Sequence, residues 1–327
     1  MTLNLTRIQP LDDDSISAAV TLWQQGHLVA FGTETVYGLG ADAGNALAVT
    51  HIFKTKNRPE FNPLISHLPD QDSAFGLAMR TTLAEQLAEA FWPGPMTLVL
   101  NRQDHGQIAD LVTAGLDSLA LRVPGHAGAR ELLKAVGTPI AAPSANSSGR
   151  LSPTTADHVA DSFHHHSEPR LIIDTGPCQK GLESTIIDAR GEAPILLRPG
   201  SVTADMIKDV TGYLPLLPEH KNPPQLLSPG QLASHYAPRA QLRLNATTIH
   251  EGEAWLGFGT DPILPPDTPA ANLSPDGNLD EAASQFFSLL HQLDATGVKT
   301  IAVAAIPETG LGVAIHDRLC RAAAPRP

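Results

Sequence analysis

The sequence predicts an α/β protein built from two unequal units. Three observations carry this. Short apolar runs that suit strands alternate with helical patterns over the first two thirds of the chain. A proline-rich stretch with little periodicity, 213–240 (YLPLLPEHKNPPQLLSPGQLASHYAPRA), breaks the alternation. A shorter alternation resumes after it. The length of 327 residues also exceeds what one hydrophobic core usually serves.

Taken in order, residues 28–31 (LVAF) read as a buried strand. GTETVYGLGADA follows, and its three glycines predict an irregular loop. Asn45 can cap a helix over roughly 46–56, where Ala48, Val49, Ile52 and Phe53 share one face. Lys56 and Arg58 then fall at that helix's end, and Pro59 stops its continuation. Further strands are expected at 64–67, 97–100, 118–123, 139–142, 171–174, 184–188 and 195–198. Helices are expected at 81–90, 126–136, 155–162 and 203–209. The tail suits strands at 241–244, 254–258 and 299–304, with helices at 279–293 and 312–323. The organisation that results is an α/β unit over 1–212, a semi-rigid linker over 213–240, and a small Rossmann-like α/β unit over 241–327. The last has no GxGxxG fingerprint, so no dinucleotide is expected there.

Composition narrows the function classes. The net charge of −12 disfavours a protein that grips a nucleic-acid backbone over a broad basic face. No apolar run approaches the roughly 20 residues a membrane span needs. The start, MTLNLTRIQPLDDD, lacks the basic and apolar regions of a signal peptide. Two cysteines, Cys178 and Cys320, give neither a disulfide framework nor metal-site spacing. A reducing, cytoplasmic setting is expected.

Against that acidic background the segment 54–67, KTKNRPEFNPLISH, concentrates Lys54, Lys56 and Arg58. Lys54 reads as a cation at a helix C-terminus. Lys56 and Arg58 sit on a proline-stiffened loop and suit a polyphosphate, with Arg forking two oxygens. Asn62 and His67 follow on the same segment. A lone His beside an apolar strand is more often packed than catalytic. Thr33-Glu34-Thr35 lies where a strand gives way to a turn, a common ligand position in α/β sheets. Taken alone, the segment reads first as a turn with local Ser/Thr capping. FWPGPMT (91–97) reads as a structural turn.

Ser118 and Arg122 face the same way on one strand, and an Arg amid LALRV needs a carboxylate or phosphate partner, internal or ligand. Ala142 to Gly149 (APSANSSG) is a loop of small and hydroxyl residues whose backbone can approach an anion. It is neither a Walker A loop nor a nucleophile elbow, so Ser144 suits a ligand contact better than a nucleophile. Ser152-Pro153-Thr154 opens a helix whose N-terminus could add to an anion site. His164-His165-His166 lacks spaced partners and reads as a solvated loop, not a metal site. GLEST (181–185) and LRPG (197–200) add further strand-end groups. The whole suits ATP with an amino-acid-like substrate, and catalysis by positioning and charge stabilisation.

The ordered segments TETVYGLG, KxKxRPxxNPLxxH, WPGPMTLVL, ALRVPxH, PSANxSGxxSPT, ESTIID, LRPG and SPGxxxxHYAP resemble the threonylcarbamoyl-AMP synthase family. The first seven resemble its YrdC-like catalytic domain, a twisted mixed sheet. The last segment and the tail resemble the long form with an extra Rossmann-like C-terminal domain. The resemblance implies formation of threonylcarbamoyl-AMP and pyrophosphate from L-threonine, bicarbonate and ATP. That is the first step towards threonylcarbamoyl-adenosine in ANN-decoding tRNAs.

It implies Thr35, His67, Arg122, the backbone of Ala142, and Ser184 on the threonine side, with Arg122 on the threonine carboxylate. It implies Arg58, Asn62, Ser118, Ser144, Ser152, Arg198 and Tyr236 on the ATP side. Lys56, Arg58, Ser144 and Asn146 match the family's catalytic signature, with Lys56 at the phosphates. Magnesium is expected on phosphates and water rather than on a protein metal site. Tyr236 lies in the linker, which should close over the cleft like a lid. The product would pass to a tRNA threonylcarbamoyl transferase, with no tRNA contact required for this step and no membrane involved. One departure is Gly32, where the family commonly has proline. Two other readings use the same residues. One is an RNA-binding module built on the Lys56/Arg58 loop. The other is a carbamoyl-transfer domain of the hydrogenase-maturation type, which brings zinc-finger cysteines that two cysteines do not supply.

Overall fold

Two sheets organise the chain. The structure, a computed structural model, describes residues 7–218, 227–230 and 234–325. Parts of the expected linker, 219–226 and 231–233, lie outside the described residues.

The strands of the first sheet, in chain order, are β1 (Arg7–Pro10), β2 (Val29–Gly32), β3 (Tyr37–Asp42), β4 (Ile65–His67), β5 (Met96–Asn101), β6 (Ser118–Arg122), β7 (Ile140–Ala141), β8 (Leu171–Asp174), β9 (Thr185–Asp188) and β10 (Ile195–Arg198). They pair in the order β1-β8-β2-β3-β7-β4-β6-β5-β9-β10. Pairing is mixed: β1, β8 and β2 run parallel, β3 lies antiparallel to both β2 and β7, and β4 is parallel to β6. The helices around it are α1 (Asp13–Gln24), α2 (Ala46–Lys56), α3 (Gln71–Phe75), α4 (Thr82–Phe91), α5 (Asp110–Thr113), α6 (Ala127–Val136), α7 (Ala156–Phe163) and α8 (Ala204–Thr211). One core joins Leu28, Tyr37, Leu39, Ile52, Phe53, Leu98 and Leu121. Trp23, Phe31, Ile140 and Ile173 form another.

Most expected elements are present, with ends shifted by one or two residues. The loop expected over GTETVYGLGADA is a correction: its second half is strand β3. The glycines there serve close packing, not a turn. A Cβ on Gly40 would lie 2.9–3.0 Å from the side chains of Ile140, Phe31 and Trp23. Gly40 O also accepts the Trp23 indole N–H at 2.9 Å. Gly32 closes β2, paired with Tyr37.

Helix α2 places the first cations. The Asn45 side chain accepts from the N–H groups of Leu47 and Ala48 at its start. Asn57 ends it in the left-handed region, φ 52°, a conformation Asn tolerates through local hydrogen bonding. That turn divides the cations. Lys54 is exposed, whereas Lys56 and Arg58 are buried.

The second sheet comprises β11 (Gln241–Arg243), β12 (Glu253–Gly257), β13 (Ala270–Asn272) and β14 (Thr300–Val303) in the order β11-β14-β12-β13. All its pairs are parallel, as a Rossmann-like unit requires. Helices α9 (Leu279–Ala295) and α10 (Gly312–Ala323) accompany it. Its core of Phe286, Phe287, Leu290, Ile301 and Ile315 continues without a break onto Val36, Leu151, Leu182 and Tyr236. The two units therefore share apolar packing beside the site. Gly181 shows how close the contact is: at φ +65°, a Cβ there would lie 2.3 Å from Ser284 O of α9.

Candidate active site

A cavity opens where several strand ends converge. Its lining includes Thr33 and Val36 from the β2–β3 turn, Arg58, Ile65 and His67 around β4, and Arg122 at the end of β6. Ala142 and Ser144 follow β7, Glu183 and Ser184 precede β9, and Arg198 ends β10. Pro229, Gly230, His235 and Tyr236 come from the 213–240 stretch. The sequence places ligand groups at strand ends because side chains there are held by the sheet while the following loop is free to vary.

Eight residues expected from the sequence line this cavity: Arg58, His67, Arg122, Ala142, Ser144, Ser184, Arg198 and Tyr236. Five of the others are hydrogen-bonded to lining residues or to the loops that carry them, and Ser118 shares β6 with Arg122 without reaching the lining. Lys56 Nζ donates to Ser144 O at 2.6 Å and to Asn146 O at 2.5 Å, so it braces the PSAN loop from below. Asn146 donates its amide to Ser147 O and Arg150 O, both at 2.9 Å. Thr35 Oγ1 shares a hydrogen bond with Thr33 Oγ1 at 2.8 Å. Ser118 is buried on β6, four residues before Arg122. Asn62 is fully buried with both side-chain amide atoms unpartnered. Such groups carry a desolvation cost unless a ligand meets them.

Ser152 departs from the expectation of an anion-binding helix start. Helix α7 begins at Ala156, and Thr155 caps it by accepting from His158 N. The Ser152 hydroxyl donates to Glu183 Oε1 instead. The histidine run 164–166 is exposed beyond α7, as expected of a solvated loop.

The arginines divide by partner. Arg122 Nη2 donates to Glu34 Oε1 at 2.6 Å, and both side chains are buried. The internal partner the sequence left open is therefore Glu34. Burial opposes the Glu34 charge, but Arg122 outweighs it and holds the carboxyl below its ordinary value. Arg58 gives Nε to Asn62 O at 3.2 Å and Nη2 to Pro63 O at 2.8 Å. Arg198 gives Nε and Nη2 to Ser184 O and Nη2 also to Ser184 Oγ. Neither arginine, nor Lys56, makes an ion pair with a carboxylate among the described residues. Burial lowers Arg58 to about 9 and pushes Lys56 well below its ordinary value, with the neighbouring cation adding to the Lys56 shift. Buried cations without counter-charges are costly alone and suit an anionic ligand.

His67 is neutral. Burial drives its pKa down to about 3, Arg122 adds to this, and Nδ1 is unpartnered. His235 also falls to about 3 through burial. Tyr236 is buried with its hydroxyl unpartnered.

The sequence marks Thr33-Glu34-Thr35 and 181–185 as strand-end positions but discloses neither the partners of Glu34 and Glu183 nor the place of Arg318. Glu34 pairs with Arg122 across 88 residues. Glu183 Oε2 accepts from Arg318 Nε at 2.9 Å, across 135 residues. No local pattern signals such a pair.

The comparisons with known proteins agree with one another. A family model described as "Telomere recombination" matches residues 21–200, and one described as "Threonylcarbamoyl-AMP synthase, C-terminal domain" matches 202–324. The threonylcarbamoyl-AMP synthase of Pyrococcus abyssi is 37% identical, covering 98% of each chain. That of Bacillus subtilis is 37% identical over 96% of this chain and 94% of its own. The structure of P. abyssi Sua5 complexed with L-threonine superposes with a TM-score of 0.86 at 35% identity, covering 98% of this chain and 97% of that one. Full-length HypF in a phosphate- and nucleotide-bound form shares the fold alone, at 15% identity, a TM-score of 0.50, and coverage of 56% of this chain and 28% of its own.

Proposed function

The chain belongs to the threonylcarbamoyl-AMP synthase family, and on that premise we propose how its cavity does the work. The enzyme joins L-threonine, bicarbonate and ATP into threonylcarbamoyl-AMP with release of pyrophosphate. The observation that carries the division of labour is the contrast in counter-charge. Arg58 and Arg198 are buried and bonded to carbonyls and a hydroxyl, with no direct ion pair to a carboxylate among the described residues, whereas Arg122 holds Glu34 at 2.6 Å.

ATP binds at the uncompensated end. Arg58 and Arg198 take the triphosphate, Asn62 offers its unpartnered amide to the nucleotide, and Ser118 and Ser144 add hydroxyls. Lys56 and Asn146 fix the PSAN loop, so Ser144 meets the phosphates in a set geometry. Threonine binds at the other end, its carboxylate on Arg122 and its polar groups on Thr35, His67, Ser184 and the Ala142 backbone. The threonine carboxylate displaces little charge there, because Glu34 already balances Arg122. A neutral His67 accepts or donates a hydrogen bond without repelling the ammonium group.

The threonine ammonium first loses a proton to solvent. The neutral amine nitrogen then bonds to the carbon of bicarbonate, a C–O bond of bicarbonate breaks, and water leaves, which gives the carbamate. A carbamate oxygen attacks the α-phosphorus of ATP, and the bond to the pyrophosphate oxygen breaks. The arginines neutralise charge that develops on the departing pyrophosphate. Glu34 and Glu183, the carboxylates at the cavity, are engaged by Arg122 and Arg318. Magnesium is therefore held by phosphates and water, and supplies further charge neutralisation. The chain divides as 1–212 for catalysis, 213–240 as a lid and 241–327 as a supporting unit. Tyr236 and His235 on the cavity wall support the lid role. The product passes in the cytoplasm to a tRNA transferase; among the described residues no helix is long and apolar enough to cross a membrane.

The test is pyrophosphate release by purified protein with ATP and magnesium. Release that requires threonine and bicarbonate together is expected. Release indifferent to either one overturns the reading.

A further inference from the structure

Arg318 sits on α10 of the second unit, yet it is fully buried against the cavity wall. Its Nε donates to Glu183 Oε2 at 2.9 Å, its Nη1 to Asp317 at 2.8 Å, and its guanidinium lies 5.1 Å from the centre of the Tyr236 ring. Glu183 is itself a lining residue, and its other oxygen accepts from Ser152. One side chain thus touches a cavity carboxylate and the Tyr236 wall at once.

We propose that Arg318 is a positioning residue for ATP: it neutralises Glu183 and seats the Tyr236 ring, so that docking of the C-terminal unit sets the affinity of the nucleotide side. This rests on the assignment of ATP to the Arg58/Arg198 end.

Glu183 lies beside Ser184, whose carbonyl and hydroxyl hold Arg198. An unneutralised carboxylate there would oppose an incoming triphosphate and compete with it for Arg198. The groups facing Glu183 are Arg318 and Asp317 from α10, Arg198 from β10, Ser152, and His235 and Tyr236 from the 234–240 segment. Burial favours its protonation, but Arg318 and then Arg198 outweigh burial and keep its pKa below the ordinary value. His235, pushed down to about 3, stays neutral near pH 7 and cannot replace Arg318. Removal of Arg318 takes away the largest influence opposing burial, so Glu183 should titrate at a higher pH than in wild type.

The sequence alone could not place this residue. It lies in the tail, in no signature segment, and meets Glu183 only across 135 residues of sequence.

The experiment measures ATP and threonine affinity by calorimetry on full-length wild type, Arg318→Met, Arg318→Lys and the double variant Arg318→Met/Glu183→Gln, between about pH 6 and 8.5. Arg318→Met should weaken ATP by about tenfold or more and threonine by less than about twofold. Its ATP loss should grow as pH rises, because Glu183 then ionises, whereas wild type shows no such ionisation. The double variant should regain most of the affinity and lose that pH dependence. Arg318→Lys keeps the charge without the fork, so its ATP affinity should fall less and its pH profile should match wild type. Should Arg318→Met not fold, Arg318→Gln, which also removes the charge, decides in its place, and unchanged ATP affinity there across the pH range overturns the proposal. Equal losses of ATP and threonine at every pH, with no rescue by Glu183→Gln, show a merely structural tie and also overturn it. Pyrophosphate release by wild type is scored separately. Its failure refutes the proposed function, while wild-type ATP binding with an indifferent Arg318→Met refutes only this inference.

Discussion

The two ends of the cavity use the same residue type in opposite ways. At one end Arg122 is matched by Glu34 at 2.6 Å. At the other, Arg58 and Arg198 rest on backbone carbonyls and a hydroxyl. On the proposed assignment of the two ends, the difference follows the charge of the ligand. Threonine is a zwitterion, so an arginine that is already balanced can orient its carboxylate without excess field. ATP brings several negative charges, and cations held without counter-ions are neutralised only when it binds. Burial raises the cost of those cations in the empty protein, so it sharpens the preference for a polyanion.

The contrast is open to attack in order of expected effect. Arg58→Ala removes an uncompensated cation and should weaken ATP by about 2–5 kcal/mol, with threonine affinity little changed, as read by calorimetry. Arg122→Ala leaves Glu34 buried and unpaired. It should weaken threonine by about 2–4 kcal/mol and ATP by clearly less. Equal losses for both ligands would mean the cavity is not partitioned. Ser152→Ala tests a residue that the family resemblance gives to ATP but whose hydroxyl here meets Glu183. ATP affinity should change by less than about tenfold, while stability to urea falls by about 1.5–3 kcal/mol for the lost hydrogen bond to a charged group.

The smallest effect on either ligand should come from the interface between the units. His158 of α7 and His291 of α9 stack at 3.9 Å, and His291 Nε2 donates to Ser152 O at 3.1 Å. Burial lowers both pKa values, and His158 further lowers His291, to about 4. The unfolded chain therefore binds protons at these sites before the folded one does. Their contribution is complete above about pH 6.5 and is lost as pH falls below it, for His291 down to about 4, at up to about 1.4 kcal/mol per pH unit per group. Urea titrations at falling pH should show this slope together with that of the buried His67 and His235, and His291→Gln should make it shallower by up to one group's share.

The sequence disclosed some of this readily. Helix α2, its Asn45 cap and the split between Lys54 and Lys56 follow from apolar periodicity and capping chemistry. The strand-end position of Arg122 follows from an arginine set in LALRV. What it hid has physical causes. Strand β3 was masked because Gly40 makes room for Trp23, Phe31 and Ile140, and glycine ordinarily signals a turn. Helix α1 had a capping box between Asp12 and Ser15 that pattern reading passed over. Glu34 and Glu183 looked like scattered acids because their partners, Arg122 and Arg318, are distant along the chain. Charge pairing over such separations is a property of the fold, not of any local segment.

The central claim is that counter-charge partitions the cavity between its two ligands. A crystal structure of the protein with ATP and threonine bound tests it most directly. The account predicts the triphosphate against Arg58 and Arg198, the threonine carboxylate on Arg122 with Glu34 still bonded to it, and Tyr236 covering the nucleotide. A triphosphate on Arg122, or threonine seated against Arg58 and Arg198, would contradict it.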